Sequence, residues 1–170
     1  DPAKTEALQQ RIGGSFPVED DLAAVEDNTD PGCTLTGTWQ ASTSVSGFYG
    51  TNYVHDRNTS KGGCSARFAV PVPTGGTFTV CLRWPADSNR ASNVPVEIVN
   101  AGGTNVVTVD QRTNGGTWFD LGTWDFAPGT AWVTIRNDGT DGYVMADAAG
   151  LKGDAGVAQD SDQQDADDGV

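Results

Sequence analysis

FTVCLRWPADSNRASNVPVEI, residues 78–98, sets two alternating apolar runs around a polar loop. Phe78, Val80, Leu82 and Trp84 fall on one side of an extended chain, because strand side chains alternate with period two. The insert ADSNRASN has no bulky apolar side chain with which to fill a core. It offers amide, guanidinium and carboxylate groups, which make directional hydrogen bonds. A rigid strand pair presenting a polar loop is a common way to build a recognition surface. The stretch points to binding before chemistry.

Outward from it, the pattern repeats. Short runs at 23–28, 35–43, 50–56, 64–72, 76–85, 94–100, 104–111, 117–127, 130–137 and 143–151 read as strands. Turn chemistry marks the junctions, as at Pro31-Gly32, Gly75-Gly76, Gly102-Gly103, Asn114-Gly115-Gly116, Pro128-Gly129 and Asp138-Gly139. Strands this short and evenly spaced predict an all-β fold, an antiparallel β-sandwich of jelly-roll-like form. About 130 residues bury roughly 65% of their unfolded surface, enough for one core. Trp39, Trp84, Trp124, Trp132, Phe68, Phe78 and Ile135 are the expected fillers.

The ends read differently. Residues 2–12 predict a short helix, with Asp1 as cap and Pro2 in the first turn. Residues 1–22 are therefore read as a helix and linker, the end of a preceding domain, and 23–151 as the strand-rich module. The stretch 152–170 has little to bury and repels itself, so a disordered acidic tail is expected. Formal charge is −13 over 170 residues, but the central 23–151 carries twelve acids and seven bases, only −5. A basic patch for phosphate is lacking, which argues against nucleic acid. Anionic membrane surfaces are disfavoured for the same reason, and no apolar run approaches the ~20 residues of a spanning helix. The chain starts at Asp1-Pro2 without an initiator Met and is read as a piece of a longer protein, monomeric by itself.

Three cysteines, Cys33, Cys64 and Cys81, have no CxxC spacing, and with one histidine a structural zinc site is not expected. Cys64 shares the phase of Ala66, Phe68 and Val70, whereas Cys81 opposes its strand's apolar side. Cys33–Cys64 is the preferred disulfide; one disulfide would suit an exported protein and three buried thiols a cytosolic one.

Five segments carry a family likeness: EDNTDPGCTLTGTWQAS (26–42), GFYGTNYVHD (47–56), RWPADSNRASNVPVEI (83–98), NGGTWFDLGTWDF (114–126) and DGYVMADAAGL (141–151). Together they resemble the golvesin and xanthan-lyase carbohydrate-binding-like domain, over about 125 residues. The resemblance implies a jelly-roll module of the carbohydrate-binding type, non-catalytic and accessory to a neighbouring domain. It also implies a bacterial protein that is secreted or displayed at the cell surface, with a polysaccharide as partner. Cys33 and Cys64 lie outside the pattern associated with that family.

Sugars are bound by aromatic faces flanked by polar groups that satisfy hydroxyls. The candidates are Tyr49, Tyr53 and His55, the loop residues Asn89, Arg90 and Asn93, and Trp118 behind its glycine turn. Each has a plainer reading: the aromatics fill a core or brace loops, and Arg90 and Asn93 knit their own loop. Glu26, Asp27, Asp30 and Asp147 supply hard oxygen ligands, and Glu26, Asp27 and Asp147 are the expected site of a structural Ca²⁺. Similar jelly-roll modules often carry such an ion, although solvated surface carboxylates would look the same in sequence. No other cofactor is expected.

Catalysis has little support. His55 is the only histidine, and no GxSxG elbow accompanies it. Nothing in the spacing of Asp56, Asp87, Asp120 and Asp125 selects two acids that face each other across a cleft. A module that packs on a neighbouring catalytic domain and binds no sugar is the competing expectation.

Overall fold

A computed structural model describes residues 22–153. The expected helix at 2–12, and the expected tail beyond Gly153, lie outside these residues. Twelve strands follow one another: β1 (Leu22–Asp27), β2 (Cys33–Thr36), β3 (Gln40–Ser42), β4 (Tyr53–His55), β5 (Ser65–Val72) and β6 (Gly76–Arg83). Then come β7 (Val94–Asn100), β8 (Gly103–Val109), β9 (Phe119–Phe126), β10 (Gly129–Arg136), β11 (Met145–Ala146) and β12 (Ala148–Gly153). They form antiparallel sheets in the orders β1-β12-β6-β9, β2-β5-β10-β7-β8 and β11-β4-β3. The described residues are all-β.

Alternation sets which side chains meet. In β5, Ala66, Phe68, Val70 and Val72 are buried; in β10, Ala131, Val133 and Ile135; in β7, Val94, Val96 and Ile98. Register aligns Phe68, Val133 and Ile98 in one row across the five-stranded sheet. Val80, Leu82, Ala149 and Leu151 from the four-stranded sheet join them in a single core with Trp84. Pro95 sits in β7 without breaking the sheet, because pairing with β10 begins only at Val96.

Three expectations change. The run 35–43 is two strands, since Gly37 turns the chain at φ +88, with no room for a Cβ beside the Gly63 carbonyl. The run 143–151 breaks at Asp147, between β11 and β12. Trp132 is not core: Ala131, Val133 and Ile135 occupy the inward phase, so the indole lies half-buried on the outer surface. Trp84, Phe68 and Ile135 are buried, while Trp39, Phe78 and Trp124 pack at the core's margin.

The Cys33–Cys64 disulfide is not formed; both are thiols. Cys33 pairs in register with Phe68, four positions along β5's line from Cys64, roughly 13 Å at strand rise. A disulfide needs Cα atoms within about 7 Å. Burial, with Glu26, Asp27 and Asp30 nearby, pushes the Cys33 thiol up to about 12. The disulfide argument for an exported protein falls with it.

Candidate functional site

The loop after Trp84 is held by its own arginine. Arg90 Nε donates to the Pro85 carbonyl at 3.1 Å, and a guanidinium nitrogen donates to Asn89 Oδ1 at 2.7 Å. The same guanidinium lies over the Tyr53 ring, 5.9 Å from its centroid. Arg90 is buried, and its Nη2 has no hydrogen-bond partner among the described residues. Beside it, Tyr143 forms a parallel bridge, with its N–H donating to the Asn89 carbonyl at 3.0 Å. The Tyr143 ring meets His55 edge-on at 5.6 Å. Burial and then the Arg90 charge lower the His55 pKa, so the imidazole is neutral at pH 7.

Of the predicted ligand residues, Tyr53, His55, Asn89 and Arg90 thus come together at one loop end. Tyr53 and Arg90 are buried and brace it; His55 is half-buried and Asn89 exposed. Asn93 is exposed but occupied, donating to the Gly139 carbonyl at 3.1 Å and accepting from the Asp141 N–H at 3.0 Å. It ties the loop to the turn after β10. Tyr143 was not among the predicted residues. Its signal was an aromatic next to Gly142, at the first position of the run 143–151.

Asp56 anchors this end from below. It accepts from Lys61 at 2.9 Å, Asn137 Nδ2 at 3.0 Å, and the N–H groups of Val144 and Asn58 at 3.0 and 2.8 Å. Full burial alone would raise its pKa, but these donors outweigh burial and hold the carboxyl below its usual range. Asn137 in turn accepts from the N–H groups of Gly62 and Cys64.

Tyr49 and Trp118 lie elsewhere, on the outer side of the four-stranded sheet. Their rings meet edge-on at 5.4 Å, and with Cys81 and Ala148 they form a small second cluster. Trp118 is only 7% exposed. It braces the fold instead of presenting an open ring face: the loop bearing Tyr49 covers it, and Arg83 both lies over the indole and donates to the Gly47 carbonyl.

Asp147 is fully buried at the break between β11 and β12, and both its oxygens accept from the Tyr49 N–H, at 2.9 and 3.2 Å. Burial first, then the Asp27 carboxylate, pushes its pKa to about 9, against the Arg83 charge. Asp27 accepts from the Thr29 N–H and hydroxyl, and with Tyr49, Gly50 and Thr51 it lines a depression of about 300 Å³. Glu26 does not join them. Consecutive strand residues point to opposite sides, and the Glu26 carboxylate closes on Gly32 instead. Among the described residues no group of three or more acidic, histidine or cysteine side chains is placed to hold a metal. The three-carboxylate set reduces to Asp27 and Asp147.

The chain is thus an all-β module of three antiparallel sheets with aromatic and amide groups at one loop end. The chain belongs to the Golvesin C-terminal domain family, whose profile matches residues 24–153. It is 45% identical over 138 residues to a xanthan lyase of Bacillus sp. (strain GL1), covering 78% of this chain and 15% of that protein. A Paenibacillus xanthan lyase structure matches with a TM-score of 0.76 at 42% identity, over 82% of this chain and 14% of that one. A family 35 carbohydrate-binding module from Clostridium thermocellum shares the fold, with a TM-score of 0.56 at 17% identity, over 76% of this chain and 97% of the module. The chain spans about one seventh of the length of the lyases.

Proposed function

We propose that this chain is a non-catalytic accessory module that binds polysaccharide, a jelly-roll-like sandwich carried by a larger bacterial protein. The observation that carries the reading is the loop end where His55 and Tyr143 stand half-buried beside the exposed Asn89. Rings held edge-on by a braced loop offer apolar surface for sugar C–H groups, and the amide offers hydrogen bonds for hydroxyls. The lyase relatives support a polymer of the xanthan kind as ligand, met outside the cell or at its surface. Affinity electrophoresis through gels containing xanthan and other microbial and plant polysaccharides tests it. Retardation in at least one gel is expected; free migration in all, by folded protein, overturns it.

A structural Ca²⁺ is part of the proposal. Asp27 and Asp147 fit as two oxygen donors, because Asp147 is buried against a second carboxylate, and a divalent cation would restore its ionised form. Glu26 is not needed. A melting temperature unchanged by chelator and by added Ca²⁺ would remove the ion.

The second reading is a module that packs on a neighbouring domain and binds no sugar. Burial of Trp118 and Tyr53, at 7% and 2% exposure, favours it, since two candidate platforms brace the fold instead.

A further inference from the structure

The two larger sheets differ in what covers their outer surfaces. Tyr49, Trp118 and their loop cover part of the four-stranded sheet. On the five-stranded sheet the outward positions of the central strand β10 are Thr130, Trp132, Thr134 and Arg136, and a shallow depression of about 470 Å³ lies there. It runs across β2, β5, β10 and β7, three inter-strand spacings, or roughly 14 Å.

Trp132 sits in register between Ala69 and the exposed Val99. The Arg67 guanidinium lies over its ring, 4.2 Å from the centroid, close enough for a cation–π contact. That guanidinium has no ion pair or hydrogen bond with another described side chain. Arg136, two positions along and one strand over, is balanced by Asp138 at 3.1 Å and Glu97 at 3.9 Å. Arg67 is thus a planar cation, fixed on an indole, with no counterion among the described residues of an acidic chain. Around it stand the hydroxyls of Thr34, Ser65 and Thr134.

We propose that this sheet surface is a second glycan-binding face, selective for carboxylate-bearing sugars, in which Arg67 pairs with the carboxylate and Trp132 carries the sugar ring. A guanidinium recognises a carboxylate through paired N–H donors. The face favours a polysaccharide over a neighbouring domain because it is lined by hydroxyls and charges. Its exposed apolar groups, Val99 and Val106, are too few for an obligate protein interface. This rests on the proposed glycan function and adds to it: the loop end binds with or without carboxylates, and the sheet surface adds affinity where they are present.

The experiment compares the 170-residue chain on xanthan, alginate and polygalacturonate, each beside its carboxyl-reduced form, by affinity electrophoresis at low and high salt. At least one carboxylated polymer should be bound about ten-fold or more tightly than its reduced form, with the preference shrinking as salt rises. Arg67→Gln and Trp132→Ala should erase that preference, Trp132→Phe should keep part of it, and Tyr143→Ala should leave it in place. Melting temperatures verify that each variant is folded. No preference in the wild type, or a preference that survives both Arg67→Gln and Trp132→Ala, overturns the second face while the loop-end reading stands. Binding to no polysaccharide overturns both. Sheet variants that weaken docking to the rest of the parent protein and leave glycan binding unchanged identify a domain interface and overturn the proposal.

Discussion

Replacing Asp147 by Asn should stabilise the protein at neutral pH, which few buried polar substitutions do. An unfolded aspartate titrates near ~3.9; in the fold, burial against Asp27 moves Asp147 to about 9. Between those values the folded state keeps a proton that the unfolded state releases. Stability therefore falls as pH rises, by about 1.4 kcal/mol per pH unit. Below the unfolded pKa the group contributes no penalty, and above about 9 the loss is complete. At pH 7 the accumulated loss is about 4 kcal/mol, a large share of a typical stability of about 5–15 kcal/mol. Asn keeps an acceptor for the Tyr49 N–H and removes the titratable carboxyl from beside Asp27. Urea midpoints measured in chelator should fall steeply from pH 5 to pH 8 in the wild type and much less in Asp147→Asn, which gains about 1–4 kcal/mol at pH 7. Asp147→Ala has no acceptor for Tyr49 and should give up about 1–3 kcal/mol of that gain. With Ca²⁺ added at pH 8, the wild type should recover stability and Asp147→Asn should not. Equal pH slopes for wild type and Asp147→Asn would refute the reasoning.

Trp118→Ala should cost about 3–5 kcal/mol in urea unfolding and leave polysaccharide binding unchanged, because the indole braces the Tyr49 loop. Asp56 works in the opposite sense to Asp147. Its carboxyl is held below the usual range by Lys61, Asn137 and backbone donors, so the stability it contributes is present above ~3.9 and lost as pH falls through its folded value. Asp56→Asn should remove part of the wild-type loss in acid-unfolding curves and destabilise the protein by about 3 kcal/mol at pH 7, since Lys61 loses its buried partner. His55, neutral at pH 7, should give no pH dependence of glycan binding between pH 7 and 9, read by titration at both values.

The sheets were legible because β5, β7 and β10 alternate strictly, and each inward residue is apolar. The same rule shows why Trp132 was misplaced. Three positions separate it from Ile135, an odd number, so the two cannot share a side. What alternation does not carry is a side chain that turns on the chain's path: Gly37 splitting one run into β2 and β3, or Asp147 interrupting the last. At the candidate site, the polar loop at 85–95 was visible as a surface element, and the bracing role of Arg90 and Asn93 was one of the two readings open from sequence. Tyr143 was missed because its neighbours in space, Asn89 and His55, are remote in sequence. Glu26 was included with Asp27 although adjacent strand residues point apart. Cys33 and Cys64 share a phase, but register, which sequence spacing does not give, separates them along the strands.

The most direct test is calorimetric titration of carboxyl-reduced xanthan oligosaccharides, which only the loop end should bind, into the wild type, Tyr143→Ala and Asn89→Ala. Saturable binding by the wild type, weakened about ten-fold or more in both folded variants, is the expected result. Heat-silent titration at every concentration, or binding indifferent to both substitutions, would contradict a glycan site at the loop end formed by His55, Tyr143 and Asn89.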